Sequence, residues 1–410
     1  MKQRADEALR ASMDTLVGDM GMLTGLTVCY GTGEDAVTHS TGLRQEVLYD
    51  GGFVEAPLPI ASDTIYDIAS LTKVFTLVSV LQLMERGQIR EGDDIAALDP
   101  RFLHLEGCSV ADTLSYLACL KTPERVDAQA DAATAEYMVF QTRQVPHEGE
   151  RLYSDMNALV LKYVVAAVSG MSFWDYLQRH VLAPAGMQET WARVPAARAR
   201  DLMNYNYEHR IMKGAYSLIG DAQPGSPHDP KARLLGTDRD PVSGHAGLFA
   251  TAGDMVRFAQ ALLTGRLIKR ESLQNIGINR TGYLLKDGSY RQFLGQLVFT
   301  RSPIQRFSEV PEWMGLRAFG ISGYTGNHFA LDPDRGVFDL ILGNRCHNRL
   351  SQVMPAEDSA ALGLSDNGSG SVSWPDGRQV RSSFGFIHQK DRMLHNPVRD
   401  CMLARGWLKP

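Results

Sequence analysis

The stretch Tyr66-Asp67-Ile68-Ala69-Ser70-Leu71-Thr72-Lys73-Val74-Phe75-Thr76 decides how this chain is read, because it sets a hydroxyl and an amine three residues apart at the head of an apolar run. On a helix that spacing puts both on one face. The run Val74 to Met84 is apolar almost all round, as in a helix enclosed by other elements, and Glu85, Arg86 and Gly87 end it. Ser70 and Lys73 are thus expected on the first turn of a buried helix, where free N–H groups and the dipole favour negative charge. A serine becomes a nucleophile when a neighbouring base takes its proton, and burial is expected to lower the Lys73 pKa enough to make it that base. Alone, Ser-x-x-Lys is a weak signal, equally at home on a surface helix, so its weight depends on what else the chain carries.

With 410 residues, 44% of them hydrophobic and 22% charged, the chain can bury a large core. A net charge of -5 gives no basic field for nucleic acid or an anionic membrane, so the expected partners are small molecules. No run approaches a membrane span, and the opening residues Lys2, Arg4, Asp6, Glu7 and Arg10 break any secretory-leader pattern; a cytoplasmic location is expected. Cys29, Cys108, Cys119, Cys346 and Cys401 are scattered without a Cys-x-x-Cys pair, so reduced, mostly buried thiols and no metal site are expected.

Ala5, Leu9, Met13, Leu16, Val17 and Met20 follow helical spacing, and Leu26 to Gly31 then reads as a strand. The region from Glu91 to about Gly265 is mostly helical in pattern, clearest from Ala158 to Val168. Strand signals return at Gln296–Phe299, Asn327–Leu331 and Val337–Leu342, with a last helix containing Val398 to Leu403. Helix and strands at both ends around a helical middle suggest one sheet built from the two termini, with a helical domain inserted. Between Leu350 and Lys390 the composition turns polar and glycine-rich, with a hairpin about Pro375-Asp376-Gly377, and reads as a surface excursion.

A second motif, Tyr153-Ser154-Asp155, lies in the run Gly149 to Leu161, a loop leading into a helix. A tyrosine acts as a base only where nearby cations pull its phenol below its usual pKa of about 10. Ser70, Lys73 and Tyr153 make a plausible catalytic set, although Tyr153 by itself reads more readily as a packing residue. The Gly-x-Ser-x-Gly, His-Glu-x-x-His and phosphate-loop signatures of other enzyme classes do not occur.

Four separated segments, in order, resemble the serine β-lactamase-like superfamily, in the branch that holds class C β-lactamases, low-molecular-mass penicillin-binding proteins, esterases and acyltransferases. Ser70-Leu71-Thr72-Lys73 is similar to its nucleophile motif, and Tyr153-Ser154-Asp155 to its Tyr-x-Asn motif with Asp155 in the Asn place. The Gly244-His245-Ala246-Gly247-Leu248-Phe249 loop is similar to one common in that branch, and Ile321-Ser322-Gly323 to its Lys-Thr-Gly or His-Thr-Gly edge strand. The resemblance runs from the first helix to Arg345; Leu350 to Lys390 is unmatched and reads as an insertion.

The resemblance implies an α/β, β-lactamase-like fold: an antiparallel sheet flanked by helices, formed from residues 1–90 and 290–410 (350–390 inserted), with a mostly helical domain at 91–289. It implies Ser70 as the acylated nucleophile, Lys73 and Tyr153 sharing the base role, and an oxyanion hole from the N–H groups of Ser70 and Tyr324. It places Asp155, His245, Ile321, Ser322 and Gly323 at the substrate, although His245 and His228 read more simply as structural. No cofactor or metal is called for. Ile321 can neither pair with a carboxylate nor pass a proton, and an anionic Asp155 would repel an acidic substrate unless Lys73 neutralised it. The expected function is therefore that of a serine hydrolase or transacylase acting on a small neutral ester, thioester or amide donor, with water or an amine as acceptor. A β-lactamase or D,D-peptidase-like enzyme, and a non-catalytic ligand sensor of the same fold, are the alternatives.

Overall fold

The computed structural model describes residues 1–146, 152–284, 290–303 and 309–409; Gly149–Arg151, read above as part of the loop before Tyr153, lie outside them. Six strands form the main sheet: β1 Gly25–Thr32, β2 Ala36–Gly42, β3 Phe299–Thr300, β4 Phe319–Ser322, β5 His328–Asp332 and β6 Val337–Gly343. Their order is β3-β4-β5-β6-β1-β2 with every pairing antiparallel, so β1 from the N-terminal end lies beside β6 from the C-terminal end. The sheet is thus built from both termini, as the pattern of strand signals anticipates.

Alternation along the strands sorts side chains between two cores. Leu26, Val28 and Tyr30 of β1 meet Leu9, Met13 and Leu16 from the opening helix, α1 Lys2–Asp14, and its extension, along with Val398, Cys401 and Met402. Cys29, Leu340 and Leu342 face the other way, into a larger core. That core encloses α2 Thr72–Glu85, in which every residue from Thr72 to Leu83 is buried. Each fully buried Leu, Val or Phe of α2 contributes roughly 1.5–3 kcal/mol. Its buried polar groups have partners: Thr76 Oγ1 donates to the Gly244 carbonyl at 2.6 Å and Ser79 Oγ to the Phe75 carbonyl at 2.9 Å.

Against α2 packs α3 Asp155–Ser169, started by Ser154, whose side chain accepts from the Met156 N–H, and stopped by Gly170 in the left-handed conformation. A short helix, α4 Pro230–Leu235, begins at an Asp229 cap with proline in its first turn. The last long helix, α5 Asn396–Arg405, lies against α1.

Three local readings change. The strand expected over Gln296–Phe299 begins only at Phe299, because Leu297 turns the backbone with φ +56°. The stretch read as mostly helical also holds a hairpin, Glu208–Met212 with Ala215–Ile219, and Leu350–Met354 adds to it in parallel. The 350–390 segment carries the expected hairpin, Ser371–Ser373 with Gln379–Arg381, but is tied into the fold through Leu350–Met354. All five cysteines are free, and only Cys119 is not fully buried.

Gly244 shows how the loop before Phe249 is seated. Its φ is +84°, and a Cβ there would stand 2.6 Å from Lys162 Cβ and 3.0 Å from the Ala158 carbonyl of α3. Gly244→Ala should therefore cost about 1–3 kcal/mol through strain alone, measured as a lowered denaturation midpoint. An unchanged midpoint would show that the loop is not fixed by this close approach.

Candidate active site

The local chain path explains how Ser70 is presented. Ala69 has φ +47°, a conformation L-residues rarely adopt, and the following turn Ala69–Leu71 hands directly into α2. Asp67, fully buried, fixes this turn: its carboxylate accepts from the Ala69 N–H at 2.9 Å and the His228 N–H at 2.7 Å. Its backbone carbonyl accepts from Thr325 Oγ1 at 3.1 Å and Asn327 Nδ2 at 2.7 Å, joining the turn to the β4–β5 connection. Gly323 completes the approach, since a Cβ there would meet the Ile68 carbonyl at 3.1 Å.

Lys73 Nζ lies 2.9 Å from Ser70 Oγ, 2.8 Å from Asp155 Oδ1 and 3.3 Å from the His245 carbonyl. The expectation of a lowered Lys73 pKa is overturned. Burial does oppose the charge, but the Asp155 carboxylate and then Tyr153 outweigh it and hold Lys73 above its ordinary range, so it rests as an ammonium. Asp155 in turn is held well below the usual carboxylate range: burial would raise it, but Lys73, His245 and Lys231 prevail. Tyr153 is wedged between Phe299 and Tyr116, with ring centroids 5.2 Å and 5.4 Å away, and Lys73 Nζ stands 5.0 Å from its ring centre. Burial raises the phenol, while Lys73 and a hydrogen bond with Ser70 pull it partway back. Gln292 Oε1 fixes the Tyr153 backbone by accepting from the N–H groups of Leu152 and Tyr153 at 2.8 and 2.9 Å.

Among the described residues, no acceptor is paired with the N–H of Ser70 or of Tyr324, which leaves both available to an oxyanion. The Tyr324 phenol donates to Glu208 Oε1 at 2.6 Å, and Arg345 Nε donates to the Tyr324 carbonyl at 2.8 Å. Glu208 is completely buried and also holds Arg210 at 2.6 Å, His228 at 3.0 Å and the Ser351 hydroxyl.

The substrate-side residues divide. Gly323 lies against the turn that presents Ser70, and Asp155 reaches it through Lys73. The His245 ring does not: it is buried between Asp229, at 3.0 Å, and Ser243, at 3.1 Å, and the residue reaches Lys73 only through its carbonyl. Ser322 Oγ is turned to the opposite face of the sheet, bonded to Glu309 at 2.8 Å and Lys390 at 2.7 Å, because β-strand alternation sends Ile321 the other way. Ile321 is sealed in the core with no exposure. The expectation that Asp155 would repel an acidic substrate also lapses, since Lys73 and Lys231, the latter at 2.7 Å, both neutralise it. Two clusters have metal-ligand composition, Asp155-Asp229-His245 and Glu208-His228-Cys346. Both carboxylate sets are already engaged by the protein's own ammonium and guanidinium groups, which is an ion-pair chemistry and not a ligand sphere.

Sequence reasoning missed Asp67, Glu208, Asp229 and Lys231. Only Asp229-Pro230 carried a signal, as a helix start, and nothing in the local pattern could show where the next side chain reaches.

A family description, "Beta-lactamase", matches residues 34–361. A curated relative from Salmonella gallinarum (strain 287/91 / NCTC 13346), named "Putative D-alanyl-D-alanine carboxypeptidase", is 24% identical over 355 residues, spanning 73% of this chain and 74% of its own. Among solved structures, "EstCE1, a hydrolase with promiscuous acyltransferase activity" superposes with TM-score 0.65 at 15% identity, over 84% of this chain and 94% of that one. A penicillin-binding protein homolog from Caulobacter crescentus gives TM-score 0.65 at 18% identity, over 85% and 93%. With the match running over most of its length and the two-ended antiparallel sheet in place, the chain belongs to the β-lactamase family of serine hydrolases.

Proposed function

We propose that the protein forms an acyl-enzyme on Ser70, taking a neutral acyl group from a small ester, thioester or amide and passing it to water or to an amine. The observation that carries this reading is the 2.9 Å contact of Lys73 Nζ with Ser70 Oγ inside a pair backed by Asp155 and Tyr153. At rest Lys73 is an ammonium and Tyr153 a phenol, so the pair becomes a base after losing one proton, which belongs to both groups together. Ser70 then attacks the substrate carbonyl as its own proton passes to the pair. The oxyanion falls to the N–H groups of Ser70 and Tyr324, each worth about 3 kcal/mol to the transition state. Collapse returns the proton to the leaving group, and the acceptor repeats the sequence in reverse.

Support for a neutral acyl group comes from the cations around Ser70 and Tyr324. Lys73 and Lys231 are bound to Asp155, Arg210 to Glu208, and Arg345 to the carbonyls of Tyr324 and Ser351. With Ile321 in the core, β4 adds no other. The hydrolase with promiscuous acyltransferase activity among the structural neighbours is in keeping with water and a second acyl acceptor as alternatives.

A fluorophosphonate probe should add its mass to the protein and not to Ser70→Ala; absence of any adduct on Ser70 would favour a ligand sensor. With a p-nitrophenyl ester, Lys73→Ala and Tyr153→Phe should each slow acylation by about 10²- to 10⁴-fold with unchanged circular dichroism, while nitrocefin is turned over slowly if at all. Near-normal ester rates in either variant would remove that residue from the base role, and rapid nitrocefin hydrolysis would sink the neutral-substrate reading.

The pH dependence has a fixed sign. Because Asp155 raises Lys73, the base form accumulates as pH rises, and acylation should climb through the alkaline range. Asp155→Asn removes the anion that stabilises the ammonium, so the rising limb should move to lower pH, read from the pH profile of kcat/KM. A limb that stays in place would show that Asp155 does not set the protonation of Lys73.

A further inference from the structure

The carboxylate of Asp155 has two oxygens and two ammonium partners. Oδ1 holds Lys73 Nζ at 2.8 Å and Oδ2 holds Lys231 Nζ at 2.7 Å. The Lys73 side chain has no exposure, whereas Lys231 and Asp155 are 23% and 26% exposed, so Lys231 meets the buried pair from its more open side. We propose that Lys231 is a positioning residue for acylation: by occupying the second oxygen of Asp155 it keeps that carboxylate from locking Lys73 as a permanent ammonium. The inference rests on the acyl-enzyme reading above.

The placement of Lys231 argues for this use. It follows Asp229 and Pro230, the cap and first residue of α4, where a cation opposes the helix dipole and contributes nothing to helix stability. Its position in the chain is nevertheless fixed, since Asp229 Oδ1 accepts from the Ala232 N–H at 2.9 Å while also meeting His245 Nε2 at 3.0 Å. Other charges face it. Asp229 Oδ2 is 3.9 Å away, and Asp127, on the turn that packs against α4, feels Lys231 but is paired with Arg125 at 2.6 Å. Glu136, on the neighbouring helix, is engaged by Tyr163 at 3.1 Å, and Tyr153 and His245 border the shared carboxylate. Burial and the Lys73 charge lower the proton affinity of Lys231 while Asp155 and Asp229 raise it further, and the like-charge repulsion between the two lysines is mutual.

Removing the outer cation has the opposite sign to removing the carboxylate. In Lys231→Met, all of the Asp155 charge falls on Lys73, so the rising limb of ester acylation should move up by about one pH unit, a loss of about tenfold at neutral pH. The rate should recover toward the wild-type value at alkaline pH. Lys231→Arg, which keeps the charge, should keep the limb. With ¹³Cε-labelled lysine, the Lys73 resonance of the unreacted Lys231→Met protein should begin to titrate later than in the wild type, a readout independent of turnover. An unmoved limb with a uniform loss of rate, or a Lys73 resonance that titrates alike in both proteins, would overturn the inference by reducing Lys231 to a structural contact. If instead the resonance shifts as expected but no acyl group ever forms on wild-type Ser70, it is the acyl-enzyme reading that fails, and the catalytic role of Lys231 with it.

Discussion

A lysine ammonium with no solvent exposure is the constraint on which this site depends. Removing such an ion from water costs several kcal/mol unless partners replace the hydration. Here the setting adds to that cost, because Lys73 sits near the start of α2, whose dipole disfavours a cation. Asp155 is the compensating element. As the first residue of α3 it lies where a dipole favours an anion, so two helix N-termini meet with opposite charges between them. The same field that strains the Lys73 ammonium would favour the oxyanion of the proposed acylation, so the ion pair and that reaction would draw on one arrangement of backbone N–H groups.

Holding that pair beside Ser70 requires pieces far apart in sequence to arrive together, and two buried carboxylates do this. Asp67 binds the nucleophile turn, the His228 loop and the β4–β5 connection at once. Glu208 binds Tyr324 from that connection, Arg210 from its own strand and Ser351 from the segment after the main sheet. The 350–390 segment is thereby part of the support of the site. Lys390, at its end, reaches the rear of β4 and bonds Ser322 at 2.7 Å and His328 at 3.3 Å.

Motifs whose chemistry is local were legible in the sequence. Ser70 and Lys73 share a face because of helical spacing, and the apolar run after them had to be enclosed. Short apolar runs rich in β-formers showed β1 and β6, and the resemblance supplied the order of the remaining parts. What could not be read were the long-range partners. The Lys73 pKa was expected to fall because burial is visible in a sequence, whereas the position of a countercharge more than eighty residues away is not. Ser322 and Ile321 were assigned to the substrate by motif position alone, but strand alternation turns one to the rear and seals the other in the core. The polar composition of 350–390 suggested an excursion because composition does not reveal that Ser351 and Lys390 point inward.

The proposed preference for a neutral acyl group rests on engaged charges as much as on the missing cation at Ile321. Among the described residues, a substrate carboxylate entering this site would have to draw Lys73 or Lys231 from Asp155, or Arg210 from Glu208, and leave the abandoned carboxylate largely without a partner. Breaking one member of a buried pair costs about 3–5 kcal/mol, which corresponds to roughly two to three and a half decades of discrimination. On the proposed reading a neutral ester pays none of this and meets the N–H groups of Ser70 and Tyr324, which have no acceptor among the described residues. The internal ion pairs that stabilise the Lys73 ammonium would then also act as the filter on the acyl donor, and the side chains proposed to prepare Ser70 would decide what it can attack.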